Sequence, residues 1–148
     1  MDKIIKTGVG VMLLKDNKVL LGHRLPTIKD TGGIYEPDSW TFPGGKQEYE
    51  ETVIETAIRE TKEETNLDIS DIHVYTATDE FQSDRHYVTI GVISSSYEGE
   101  LKAMEPNKID RWSWFDLDNL PDNIYTPSKN MIDEYLRRES SKWIINLY

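Results

Sequence analysis

The sequence predicts an α/β domain. Three observations carry that prediction. Residues 51–66 hold a helical pattern in which Val53, Ile54, Ala57 and Ile58 recur at spacings of three and four. Residues 6–15, 18–24, 71–81, 86–97 and 108–115 are rich in β-formers, several alternate at a period of two, and turn residues separate them. A second amphipathic pattern, about 128–138, follows the last of these runs. At 148 residues the chain is expected to form one domain, 1–148, large enough to bury a core.

The first strand, KTGVGVMLLK (6–15), sets Val9, Val11 and Leu13 against Gly8, Gly10 and Met12. Two glycines on one strand face leave room for a close neighbour or a ligand. Asp16-Asn17 supplies a hairpin turn, and KVLLGHR (18–24) returns as the second strand. His23 and Arg24 end that strand, and His23 is expected at a pocket rim or the surface. Residues 25–39, with two prolines and a Gly-Gly pair, form a loop longer than an ordinary connection. Loops of this kind often carry function. A short strand through Trp40 and Phe42, both expected in the core, delivers the chain to Gly44-Gly45.

The helix over 51–66 should turn Val53, Ile54, Ala57 and Ile58 to the core, with Thr61 beside them, and pair Glu55 with Arg59 four residues on. DIHVYTATDEF (71–81) and HYVTIGVISSSY (86–97) are strands joined at Gln82-Ser83-Asp84. Residues 98–108 form a loop holding Gly99 and Pro106, and KIDRWSWF (108–115) is a strand with Trp112 and Trp114 on one face. Pro127 and Ser128 open the second helix, whose inner side carries Met131, Ile132 and Tyr135. The tail WIINLY (143–148) is too apolar for a free terminus, so it is expected to dock on the domain or on a second subunit, as a homodimer.

Glu60, Glu63 and Glu64 lie three and four apart on the first helix, so their carboxylates should converge. A run of charge is usually a solvated helix face. Here Glu60 faces Glu64, Glu64 is followed at the same spacing by Asp68, and Glu63 alone of the three has a basic partner, Arg59. Like charges so placed cost a few tenths of a kcal/mol each by local rules, and such violations tend to mark functional sites. A hard divalent cation would remove the repulsion; Mg²⁺ is held by one or two carboxylates plus substrate phosphates.

Composition removes other chemistries. With no cysteine there is no disulfide, thiolate metal site or Cys nucleophile. His23, His73 and His86 are not spaced as a zinc site, and no glycine loop ends in Gly-Lys-Ser/Thr. The formal charge of −10 opposes binding of a nucleic-acid polymer. No apolar run reaches membrane-spanning length, and MDKIIKTG lacks the apolar core of a signal peptide, so no membrane contact and a cytoplasmic location are expected.

The segment GKQEYEETVIETAIRETKEETNL (45–67) resembles the box of the Nudix hydrolases: Gly, five residues, Glu, seven residues, then Arg-Glu-apolar-x-Glu-Glu-x-Gly-apolar. Gly45, Glu51, Arg59, Glu60, Glu63, Glu64 and Leu67 match. Thr61 replaces an aliphatic residue, Asn66 replaces Gly, and Glu50 stands where many members carry Gly. Asn is the next-best residue for the left-handed turn that ends a helix. The lead-in WTFPGG and the run WSWFDLDNLP are also similar to the family, so the resemblance covers almost the whole chain.

The resemblance implies the Nudix fold, a mixed β-sheet sandwiched between α-helices, and Mg²⁺-dependent hydrolysis of a phosphoanhydride, with Mn²⁺ as a substitute. It implies metal ligation by the Gly45 carbonyl, Glu60, Glu63, Glu64 and, from the MutT-like members, Glu105. It makes Glu63 and Glu60 both candidates for the general base, with Arg59 orienting them by pairing with Glu51. Arg24 matches a position that faces substrate, and the 25–39 loop lies near it, which brings in Ile34 and Tyr35. HYVTIGV and EPNKIDRWSWF resemble the MutT-like branch. That implies a nucleoside triphosphate, modified ones included, cleaved to monophosphate and pyrophosphate. ADP-ribose, nucleotide sugars, or a non-catalytic nucleotide sensor on the same fold are the alternatives.

Overall fold

The computed structural model describes residues 3–27, 36–82 and 84–146, with side chains through Ser141. Strand β1 (Ile5–Lys15) turns at Asp16 and Asn17, whose φ of 52° and 62° give the left-handed pair that a two-residue hairpin favours. Strand β2 (Lys18–Arg24) returns. Two short strands follow: β3 (Trp40–Thr41) lies against β2, and β4 (Gly44–Lys46) runs antiparallel to β1, with Gly10 opposite Gly44 and Val9 opposite Gly45.

Helix α1 (Val53–Thr65) begins in a capping box: Thr52 Oγ1 accepts from the Glu55 amide, and the Glu55 carboxylate accepts from the Thr52 amide, each at 3.0 Å. It ends at Asn66, in the left-handed conformation at φ 68°. A long hairpin of β5 (Asp68–Gln82) and β6 (Arg85–Glu98) follows. Strand β6 runs parallel to β1 from Ile5 opposite His86 to Leu13 opposite Ser94. Strand β7 (Ile109–Asp116) closes on β2, and helix α2 (Thr126–Asn146) completes the chain.

The sheet is mixed, in the order β3-β2-β1-β6-β5, with β4 added to β1 and β7 to β2. Alternate residues of β1 feed two cores. Val9, Val11 and Leu13 pack with Ala57 and Leu67 beside α1; Met12 packs with Met131 and Ile132 of α2 on the other side. A helix therefore covers each face, as the family resemblance implies. Trp112 and Trp114 join the first core, and Phe42 the second.

Three expectations need correction. The inner face of α1 holds Ala57 and Thr61 as expected, with Val53 packed against the first core, but Thr56 and Thr65 complete it and Ile58 is 40% exposed. One residue is 100° of helix rotation, so the stripe that puts Ala57 and Thr61 inward turns Ile58 out. Arg59 pairs with Glu51 rather than Glu55, whose carboxylate is held in the capping box. Helix α2 starts at Thr126 and runs to Asn146 instead of spanning 128–138; its polar middle is held by Glu134, which accepts from Arg137 and, at 2.8 Å, from Arg138 Nε. The docking expected of the 143–148 side chains lies outside the described residues. Among the described residues, no helix is long and apolar enough to cross a membrane.

Candidate active site

Strand β4 hangs on β1, and α1 presents its carboxylates to the glycines of β4. Gly44 donates its amide to Glu64 Oε1 at 2.9 Å. A Cβ built on Gly45 would lie 2.5 to 2.7 Å from the carboxyl atoms of Glu60, so the lack of a side chain there is what lets that carboxylate in.

Arg59 fixes the entry to the helix. Its Nε donates to Glu51 Oε2 at 2.7 Å and its Nη2 to Glu51 Oε1 at 2.9 Å, a bidentate fork. Nη2 also donates to the Lys46 carbonyl at 3.0 Å, which ties β4 to α1. Its Nη1 reaches Glu60 Oε1 at 2.8 Å and Glu63 Oε2 at 3.3 Å. Thr56 Oγ1 donates to Glu51 Oε1 at 2.7 Å. The Arg59 bond, and next the Thr56 hydroxyl, hold the Glu51 carboxyl down at about 2 from its ordinary 4.5. Glu50 takes a left-handed φ of 62° as the chain enters this turn.

The charges then compete. Burial pushes the Glu60 carboxyl up, opposed by the Arg59 hydrogen bond and reinforced by Glu63 and Glu105. Burial pushes Glu64 well above the ordinary range, with the Gly44 amide opposing and Glu60 and Glu105 adding to the rise. Carboxylates desolvated beside one another, next to a glycine backbone, make the all-oxygen donor set of a hard cation. Among the described residues no three acidic or histidine side chains already converge on one point, because Glu60 turns to Arg59 and Glu64 to Gly44. The donors are present in kind, and a cation would draw them together.

These groups line a cleft of about 350 Å³ that also contains Gly8, Gly10, Gly45, Arg24 and Glu105. The space expected beside Gly8 and Gly10 is thus real, with the Tyr87 ring filling part of it, 2.7 Å from where a Cβ on Gly8 would stand. Arg24 is only 7% exposed; its guanidinium lies 4.3 Å from the centre of the Tyr125 ring, and its Nη1 is buried with no hydrogen-bond partner among the described residues. A buried, unsatisfied cationic nitrogen is costly unless a ligand meets it.

The structure gathers Gly45, Glu60, Glu64, Glu105 and Arg24 around one cleft. It does not gather Glu63, which is outside the lining with its side chain 53% exposed, beside Arg59. The expected convergence of three carboxylates is therefore a convergence of Glu60 and Glu64. Nor is His23 at a rim or the surface: it is 8% exposed and clamped between Asp38 and Asp110 at 2.8 Å each. Ile34 and Tyr35 lie outside the described residues. Sequence reasoning missed Tyr87, Tyr125 and the threonines of β5 and β6. The alternation of Thr76 and Thr78 was a visible signal, but nothing local said which face of the strand was the cleft.

Comparison with known proteins fits this geometry. A NUDIX domain model matches residues 5–135. An ADP-ribose pyrophosphatase of Methanocaldococcus jannaschii is 36% identical over 88% of this chain and 72% of its own length. The mRNA-decapping enzyme subunit 2 of Saccharomyces cerevisiae is 30% identical over 74% of this chain, which spans 11% of that relative's length. Among solved structures, a MutT NUDIX hydrolase from Burkholderia pseudomallei superposes with a TM-score of 0.79, covering 88% of this chain and 98% of its own at 23% identity.

Proposed function

Because the chain belongs to the NUDIX family, we propose that it hydrolyses a phosphoanhydride in a nucleoside diphosphate-linked substrate, with a divalent cation, Mg²⁺ or Mn²⁺. The substrate we propose is a nucleoside triphosphate, cleaved to monophosphate and pyrophosphate. One observation carries the reading: Glu60 and Glu64 share a cleft with a buried Arg24 whose Nη1 has no partner. One side suits a cation, and the other suits the anion it accompanies.

Glu60, Glu64 and Glu105 would hold the cation, which on binding supplies charge neutralisation for the phosphate oxygens and a more acidic attacking water. Arg24, braced on Tyr125, offers its free nitrogen to a phosphate oxygen. Arg59 holds Glu60 and Glu63 by the same Nη1, so both candidates for the base that takes the water's proton are oriented from one point. Glu60→Gln and Glu63→Gln are compared at saturating Mg²⁺: the base is the residue whose variant keeps its Mg²⁺ affinity, loses turnover, and loses the acidic limb of the kcat–pH profile. The presence of Glu105 in the cleft supports the triphosphate, since some MutT-like members use a carboxylate from this loop. The relative from M. jannaschii favours ADP-ribose as a second reading.

Incubation with Mg²⁺ and a panel of nucleoside triphosphates, ADP-ribose and nucleotide sugars tests this by product analysis. Pyrophosphate and monophosphate from a triphosphate are expected. A protein that binds nucleotides and turns over none of them is a sensor, and the enzymatic reading fails.

A further inference from the structure

A buried carboxylate stands behind one wall of the cleft, apart from Glu60, Glu64 and Glu105. Glu80 of β5 is 6% exposed. It accepts from Thr78 Oγ1 at 2.7 Å through one oxygen and from Thr89 Oγ1 at 2.9 Å through the other. Thr78 and Thr89 are directly opposite one another on β5 and β6 and line the cleft, whereas Glu80 does not. A hydroxyl has one hydrogen. Both hydrogens point back at Glu80, so what each threonine oxygen has left for a ligand is its lone pairs. Two hydroxyls that could each donate or accept have become two acceptors.

We propose that Glu80, acting through Thr78 and Thr89, sets the hydrogen-bond polarity of this wall, so that the enzyme selects nucleotides whose nucleoside presents donors there, an amino group of the base or a hydroxyl of the ribose. The inference rests on the nucleotide reading of the cleft and goes beyond it by naming what distinguishes one nucleotide from another. A ligand that brings an acceptor to this wall leaves lone pairs facing lone pairs, which is costlier than a missing contact. Glu80 is a positioning residue. Burial raises its carboxyl, and the two donated bonds favour its charged form.

Two substrate pairs read the polarity. Adenosine and purine riboside triphosphates differ in one amino group; adenosine and 2′-deoxyadenosine triphosphates differ in one hydroxyl. Wild type should prefer the donor-bearing member of one pair by about tenfold or more in kcat/KM, and the pair that responds tells base from sugar. Glu80→Gln keeps the shape but has one acceptor and one donor. Its amide nitrogen must donate to one threonine, whose own hydrogen then turns into the cleft. The preference should fall to about threefold or less, and Thr78→Val, which removes an acceptor without changing size, should lower it too. Unchanged ratios in Glu80→Gln for both pairs overturn the proposal. Calorimetric Kd values for the same pairs separate the two readings: binding without cleavage sinks the hydrolase alone, and the Kd ratios then decide the role of Glu80. A protein that binds none of these nucleotides overturns both.

Discussion

The carboxylate of Glu60 stands where a side chain on Gly45 would be, within 2.5 to 2.7 Å of the missing Cβ. Backbone and carboxylate are fitted to each other at that point. Gly45→Ala should therefore push Glu60 off its position and lower kcat/KM by about 100-fold, the usual cost of an ångström-scale misplacement. The displaced group is the end of a flexible side chain, so the melting temperature should move little. A large loss of stability with normal activity in the folded fraction would contradict this reading.

Glu64 is the second half of the pair. Burial, and next the charges of Glu60 and Glu105, disfavour its charged form, and a bound cation would reverse that. Mg²⁺ at a hundredfold excess over Kd should raise the wild-type melting temperature by about 5–10 °C. Glu64→Gln should be more stable than wild type without metal, gain far less from Mg²⁺, and be nearly inactive. An equal Mg²⁺ shift in wild type and variant would place the cation elsewhere.

Acid should loosen the entry to α1. The Glu51 carboxyl sits at about 2 when folded, against an ordinary 4.5. A depressed folded value means that the stabilisation is complete above about 4.5 and is lost as the pH falls toward 2. Denaturation midpoints followed across that window should decline in wild type, and Glu51→Gln should flatten the decline while starting less stable. Parallel curves would show that the Arg59–Glu51 fork contributes nothing specific.

Arg24→Lys should raise KM by about tenfold or more and leave kcat less affected. The planar guanidinium both stacks on Tyr125 and keeps Nη1 free, and an ammonium point charge cannot do both. Steady-state kinetics at saturating Mg²⁺ would show the split. An unchanged KM would assign Arg24 to packing alone.

Local chemistry was legible in the sequence. The Asp16-Asn17 turn, the bounds of β2 and the left-handed Asn66 all follow from short-range rules. So does the capping box, since Thr52 and Glu55 stand at its spacing, although the helix could be placed without it. The carboxylate pattern on α1 pointed to the cleft but overcounted. Helical spacing puts Glu60, Glu63 and Glu64 on neighbouring stripes; which two face inward depends on how α1 docks against β4, and Arg59 draws Glu63 aside. The threonine-rich inner face of α1 defeated a rule that searches for apolar residues, and it leaves the buried Thr61 hydroxyl without a partner. The wall made by Thr78 and Thr89 depends on the β5–β6 register and on a parallel pairing far along the chain.

That parallel pairing has a consequence for how the domain comes into being. β1 meets β6 across a gap of 81 residues, and β4, which carries Gly44 and Gly45, is held by β1. A ribosome-bound or truncated chain that ends before β6 keeps the β1–β2 hairpin and the short β4 pairing but lacks the nine-residue parallel ladder that covers most of the first strand. Contacts this distant along the chain are slow to close. The acidic helix should therefore form early and idle, and catalytic competence should arrive last, in the single step that zips the two strands together.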